Sequence, residues 1–125
     1  MRLQQAMDRV DEMRPNMQSR ELKIAWLSEL DGLIHKEIIL KHEHTTEQET
    51  FSGYTEDTDP DTDLLAPWPY DEMYTYWLMA RIDELNQETD KYNADRAKFE
   101  NAYGEMQDWW NRTYMPVCRN RQLWI

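Results

Sequence analysis

Glycine is scarce in this chain. Three residues, at positions 32, 53 and 104, cannot build a glycine-rich loop around a phosphate. Only two valines occur, which gives β-strands little support. The single cysteine, Cys118, excludes an intrachain disulfide and a cysteine-built zinc site, and with no His or Cys beside it a reduced thiol in a cytosolic protein is expected. Serine is limited to Ser19, Ser28 and Ser52, none of them in a G-x-S-x-G turn. The longest apolar runs are four or five residues, such as Trp77-Leu78-Met79-Ala80, where a membrane span needs about 20. The amino-terminal residues lack the apolar core of a signal peptide. Positive charge is short too: 14 Lys and Arg stand against 25 Asp and Glu, a net charge of −11. That balance weighs against a protein whose task is to grip nucleic-acid phosphates.

What the chain has is aromatic and sulfur-bearing bulk. Its 125 residues, one domain's worth, contain six Trp, seven Tyr and eight Met. Leu, Ile, Val and Phe together make only 17% of the chain, a value that with this charge falls in the range of disordered proteins. The aromatics argue for a folded core, because they bury large areas at low entropic cost. A single folded domain, 1–125, with a partly disordered segment is the expectation. The charge is segregated. Residues 1–41 are neutral, 42–63 carry eight acids and no Lys or Arg, 64–111 carry a net −6, and 112–125 carry Arg112, Arg119 and Arg121 with no acid.

The hydrophobic spacing is helical. Leu3, Ala6, Met7, Val10 and Met13 recur at steps of three and four, and Pro15 ends that helix. Ser19 is placed to cap a second helix with Glu21 in its first turn, and Leu22, Trp26, Leu30, Leu33, Ile34 and Ile38 form its stripe. Gly32 inside that helix is read as marking a close approach by a neighbour. Residues 42–66 fit neither period and are expected to be a flexible acidic loop. From 67 to 114 a row in sevens, Leu78, Leu85, Tyr92, Phe99 and Met106, predicts either one long helix or a helix pair hinged around 86–93, where Arg81, Glu88 and Asp95 interrupt the companion seam. Pro116 ends the run, and 115–125 form a basic aromatic tail. The fold class is all-α, a small helical bundle of two amino-terminal helices, a long acidic loop and a long carboxy-terminal helix or hairpin.

Candidate chemistry is thin. Asp57, Asp59, Asp61 and Asp63 alternate like the opening of a calcium loop, but Thr62 stands where glycine is needed and Trp68 where the closing glutamate should be. A solvated acidic contact loop is the plainer reading. His35, His42 and His44 match no metal-binding spacing, and carboxylate pairs such as Asp71/Glu72 and Asp83/Glu84 read as solvated helix surface. No cofactor, metal or catalytic role is expected. Trp109, Trp110, Arg112, Tyr114, Arg119, Arg121 and Trp124 crowd the carboxy-terminal end. They are either an aromatic core or a subunit interface, since interfaces concentrate Trp, Tyr, Met and Arg.

Two stretches carry a resemblance: Ile24-Ala25-Trp26-Leu27-Ser28-Glu29-Leu30-Asp31-Gly32 followed by His42-Glu43, and Pro69-Tyr70-Asp71-Glu72-Met73-Tyr74 running to Asn111-Arg112-Thr113-Tyr114-Met115-Pro116. With Phe51-Ser52-Gly53-Tyr54 and Asp63-Leu64-Leu65-Ala66-Pro67 between them, the chain resembles small all-helical head–tail connector, or neck, proteins of tailed phages and prophages of Gram-positive bacteria. The resemblance implies a non-enzymatic subunit that self-assembles as a ring under the portal protein and meets a neighbouring neck or tail protein. It would be found in the host cytoplasm during assembly and then in the virion neck, with no membrane contact and no sequence-specific nucleic-acid binding. Ring contacts are heterologous and need two complementary patches, which an acidic loop and a basic tail provide. An acidic helical adaptor for a basic protein partner is the alternative.

Overall fold

Leu3, Ala6, Met7 and Val10, the apolar face expected of the first helix, are all buried in a computed structural model that describes residues 1–117. They belong to α1, Leu3–Met13, which stops just before Pro15. The second helix, α2, spans Arg20–Glu37, and its first turn is capped as expected: the Leu22 N–H donates to Ser19 Oγ at 3.1 Å. After the connection come α3, Met73–Leu85, and α4, Thr89–Thr113. Short 3₁₀ turns at Ile39–Lys41, Thr46–Glu49 and Tyr70–Glu72 punctuate the path between α2 and α3. Among the described residues there is no β-strand, and the fold is all-α.

The helix α3 is buried on nearly every face, from Met73 and Tyr74 to Ile82 and Asp83, and touches each of the other three helices. A helix apolar all round is the one a small bundle places at its centre. Its direction relative to the others follows from paired contacts. Tyr74 meets Asp31, and Trp77 Nε1–H donates to the Trp26 carbonyl at 2.9 Å, so α2 runs antiparallel to α3. Tyr70 lies 6.0 Å from Trp109 and Trp77 lies 5.0 Å from Phe99 between ring centroids, so α4 is antiparallel to α3 as well. α1 runs with α3, from Asp71 beside the Met1 amino group to Asp83 beside Arg14. It crosses the first turns of α2, where Arg20 reaches Gln4 and Lys23 reaches Asp11.

The segment 67–114 is therefore a helical hairpin, and the row in sevens is not one seam. Leu78 on α3 and Phe99 and Met106 on α4 are buried in the shared core, while Leu85 at the turn is 53% exposed. The turn is a Schellman motif: the Glu88 N–H donates to the Asp83 carbonyl at 2.9 Å and the Gln87 N–H to the Glu84 carbonyl at 3.2 Å. Gln87 takes the left-handed conformation, φ 58°, which this motif requires at that position.

Gly32 corrects another expectation. A Cβ built there meets nothing within 4 Å, so no neighbouring helix approaches. Replacing Gly32 by alanine is expected to raise unfolding free energy by up to about 1 kcal/mol, because helix propensity improves with no clash to offset it. A urea titration followed by circular dichroism checks it, and a loss of stability would contradict the open space.

The connection expected as a free acidic loop is tied to the bundle along its length. The His35 ring lies 2.8 Å from the Gln48 carbonyl and 5.7 Å from the Phe51 ring centroid. Gly53, with φ 83°, turns the chain so that the Tyr54 N–H donates to Ser28 Oγ at 3.0 Å; a Cβ at Gly53 would sit 2.7 Å from that oxygen. Leu64 and Ala66 are buried, and the Trp68–Pro69 peptide bond is cis.

Candidate functional site

The last turns of α4 gather the residues that the composition made conspicuous. Trp109 and Trp110 pack edge to face with centroids 5.5 Å apart, and Tyr114 lies 6.0 Å from the first and 5.5 Å from the second. Tyr70, at the entrance of α3, closes the cluster against Trp109. Burial divides it. Trp110 is core, Trp109 and Tyr70 are half-buried, and the surface continues outward through Tyr114, Met115 at 65% exposure and Val117. Trp68, two residues before Tyr70, is 83% exposed. Arg112 is exposed in the last turn of α4, where a cation also complements the helix dipole. The cluster thus has a core face at Trp110 and an exposed face at Tyr114, Met115 and Val117. Arg119, Arg121 and Trp124 lie outside the described residues.

Below this end, the path after α4 is stitched to the path after α2. Pro116 bridges His42, the Glu43 N–H donates to the Met115 carbonyl at 2.8 Å, and the Val117 N–H donates to the Lys41 carbonyl at 2.7 Å. His42 is buried here. Its Nδ1–H donates to the Ile38 carbonyl at 2.7 Å, capping the end of α2, and its Nε2 lies 2.7 Å from the side-chain amide of Asn111. His44 pairs with Glu49, and the His42 carbonyl, followed by that carboxylate, holds its imidazole above the usual range. Each histidine is engaged in a different place. Among the described residues no group of three or more His, Cys, Asp or Glu side chains is arranged to hold a metal ion.

Asp57, Asp59, Asp61 and Asp63 are exposed, and the segment that carries them is tied to the amino end of α1. The backbone around them does specific work there. The Leu3 N–H donates to the Thr62 carbonyl at 2.9 Å and the Gln4 N–H to the Pro60 carbonyl at 3.0 Å, satisfying helix-start donors that otherwise lack partners. Arg2 reaches Asp61 at 3.8 Å. The negative charge of this segment also faces the positive end of the α1 dipole, which favours it.

No family model, curated protein or solved structure matches this chain. Its function has to be read from its own surfaces.

Two buried polar clusters were not visible as such in the sequence. Asp83, read there as solvated surface, is fully buried. It and Asp95 of α4 share the Arg14 guanidinium, at 3.1 Å for Asp95. Burial, with the neighbouring Asp83 adding to it, raises Asp95 to a pKa of about 6. The second cluster is centred on Asp31, also fully buried, which accepts from Tyr54 Oη–H at 2.5 Å, Tyr74 Oη–H at 2.6 Å and the Leu65 N–H at 3.1 Å. Burial pushes the Asp31 carboxyl up, and the two hydroxyls pull it back. Both clusters join different elements of the fold through a carboxylate whose partners all belong to the protein. They position the bundle and its connection.

Among the described residues no helix is long and apolar enough to cross a membrane.

Proposed function

We propose that this chain is a structural subunit of a tailed-phage head–tail connector, assembling as a ring beneath the portal protein and presenting its far side to the next neck or tail protein. The observation that carries this reading is the exposed aromatic and methionine surface, Trp68, Tyr114 and Met115, at the end of the bundle where Trp109 and Tyr70 anchor it to the core. A half-buried aromatic base with exposed aromatic and methionine side chains around it has the make-up of an interface hot spot. The acidic segment Asp57–Asp63 is tied to the start of α1. Two unlike patches on one chain are what a head-to-tail ring contact uses. A net charge of −11 also suits a channel wall past which DNA slides, because an acidic wall does not hold phosphates.

The test is assembly. Substituting Trp68→Ser together with Met115→Ser is expected to change unfolding free energy by no more than about 0.5 kcal/mol, since both side chains are exposed. The same pair should weaken self-association roughly 30-fold or more if the surface holds a hot spot. Mass photometry over a concentration series, with and without the cognate portal protein, measures it. A wild-type chain that stays monomeric and ignores the portal sinks the connector reading. A one-to-one, salt-sensitive complex with a basic protein that depends on Asp57, Asp59, Asp61 and Asp63 would instead make the chain an acidic adaptor.

A further inference from the structure

The large apolar side chains left exposed among the described residues gather at the two ends of the bundle, with Leu33 on α2 the exception. Trp68, Tyr114, Met115 and Val117 belong to the aromatic end. Met13, Met17 and Leu85, exposed by 53%, 99% and 53%, stand at the other end, where α1 and α3 finish and α4 begins. The 13 residues of α3 put about 20 Å between the two ends. Arg14 ties the far end together by holding Asp83 of α3 and Asp95 of α4. Met13 continues the buried row Leu3, Ala6 and Val10, and Leu85 follows the buried Ile82 by three positions. In both helices the apolar stripe runs on past the last apolar residue that the core covers. A single exposed apolar side chain is ordinary, but three at one end of a small domain call for a cover.

The link that carries Met17 is held in place. The Gln18 N–H donates to Asn16 Oδ1 at 3.0 Å, and Asn16 Nδ2 donates to the Arg14 carbonyl at 2.9 Å and to Asp11 Oδ1 at 3.1 Å. This Asx turn presents Met17 to solvent from an ordered backbone, so a partner that covers it has only a side chain to immobilise. The rim of the patch is acidic. Glu12, Glu84 and Asp90 are exposed and have no ion pair among the described residues. The cations nearby are already engaged: Arg14 by Asp83 and Asp95, Lys23 by Asp11, Lys91 by Glu88, and Arg20 by the Gln4 side chain. Beside Leu85, at the turn from α3 to α4, a hollow of about 240 Å³ has Glu84, Glu88 and Tyr92 in its wall.

We propose that this end docks a second protein whose contact face is apolar at its centre and basic at its rim. Met13, Met17 and Leu85 cover the centre, and methionine suits the task because its unbranched side chain adapts to the surface it meets. Glu12, Glu84 and Asp90 meet lysines or arginines at the rim, and one such cation enters the hollow beside Glu84 and Glu88. The same acidic rim repels phosphates and anionic lipid headgroups, which makes a protein the fitting partner. The aromatic end takes no part, so this docking is separate from the self-association assigned to that end.

Two synthetic amphipathic helices with the same leucine face, one flanked by lysines and one by glutamates, are the probes. Fluorescence anisotropy with the full-length chain at physiological ionic strength reads their binding. The lysine-flanked helix should bind at least about tenfold tighter than the glutamate-flanked one, and its affinity should fall as salt rises. Met17→Ser with Leu85→Ser should weaken its binding about tenfold or more. Glu84→Gln with Asp90→Asn should weaken it and flatten the salt dependence, whereas Trp68→Ser with Met115→Ser should leave it unchanged. Circular dichroism verifies that every variant is folded. A wild-type chain that binds neither helix, or both equally, overturns the proposal. Binding of the lysine-flanked helix that survives Met17→Ser with Leu85→Ser overturns it too, since net charge alone then attracts the probe. If the same pair abolishes self-association in mass photometry, a second copy covers this end; the proposal fails and the connector reading stands. A chain that never self-associates but binds the lysine-flanked helix through Met17 and Leu85 supports the proposal without the connector reading.

Discussion

Substituting Arg14→Met is expected to cost about 3–5 kcal/mol of unfolding free energy at neutral pH, the penalty typical of stripping one partner from a buried ion pair. Asp83 is fully buried and Asp95 is 3% exposed, and Arg14 is the cation that faces them both. Methionine keeps much of the packing volume of the arginine stem but leaves two buried carboxylates without their cation. Given a total stability of about 5–15 kcal/mol for a domain of this kind, roughly a fifth or more of it is at stake. The effect depends on pH in a direction opposite to that of most acids. Because the folded pKa of Asp95, about 6, lies above its unfolded value, the stability associated with this group is fully present at low pH and is lost as pH rises through 6. Without Arg14, whose charge holds Asp95 down, the Asp95 carboxyl rises further, so the variant should be least impaired near pH 4.5 and most impaired near pH 7.5. Urea titrations at those two pH values give the comparison, and Asp95→Asn in the wild-type background should flatten its slope. An Arg14→Met variant within about 1 kcal/mol of wild type at pH 7.5 would show that the shared arginine does not hold this end of the bundle together.

This cluster also explains where a sequence reading succeeds and where it stops. The bounds of α1 follow from local signals, four buried side chains at helical spacing and a proline two residues past the end. Ser19 is a local signal as well, since a cap acts on residues three positions away. The hairpin over 67–114 brings Asp83 and Asp95 together on Arg14, 69 and 81 positions away, and no periodicity reports such a contact. Asp83 beside Glu84 looks like solvated surface until α1 and α4 are both in place. The acidic connection was similarly opaque. Its anchors, Ser28 and Asp31, sit on a helix and read as ordinary helical polar positions, while Gly53 and Tyr54 lie in a stretch with no period at all. Composition did mark the candidate site, because Trp, Tyr and Met are too concentrated near the end of α4 to go unnoticed. It could not divide them into the core residue Trp110 and the surface residues Tyr114 and Met115, since both kinds fall within one helical turn and its continuation.

Asp31 is where the connection is held to the bundle, and Asp31→Ala should cost about 3–5 kcal/mol, since each unpaired buried group it leaves is worth about 1–3. Three donors lose their acceptor at once: the Tyr54 hydroxyl, the Tyr74 hydroxyl and the Leu65 N–H. The Tyr74 oxygen also accepts from the Ala66 N–H at 2.7 Å, so its reorientation disturbs the backbone on both sides of Leu65. The loss should be local before it is global. Ser28 and the α1 start still hold residues 53–64, but the stretch entering α3 is freed, and limited proteolysis should cleave between 54 and 67 sooner than urea unfolds the helices. Asp31→Asn separates charge from geometry. It retains one acceptor oxygen for a tyrosine and removes a carboxyl that burial has pushed up, so it should lose less stability than alanine, by a gap that does not change with pH because neither variant titrates here. The wild-type contribution of this group declines as pH rises through its elevated folded pKa. If alanine and asparagine prove equally mild, and the connection resists protease in both, then Ser28 and the buried Leu64 and Ala66 hold the segment, and the two tyrosines merely cover the helix beneath it.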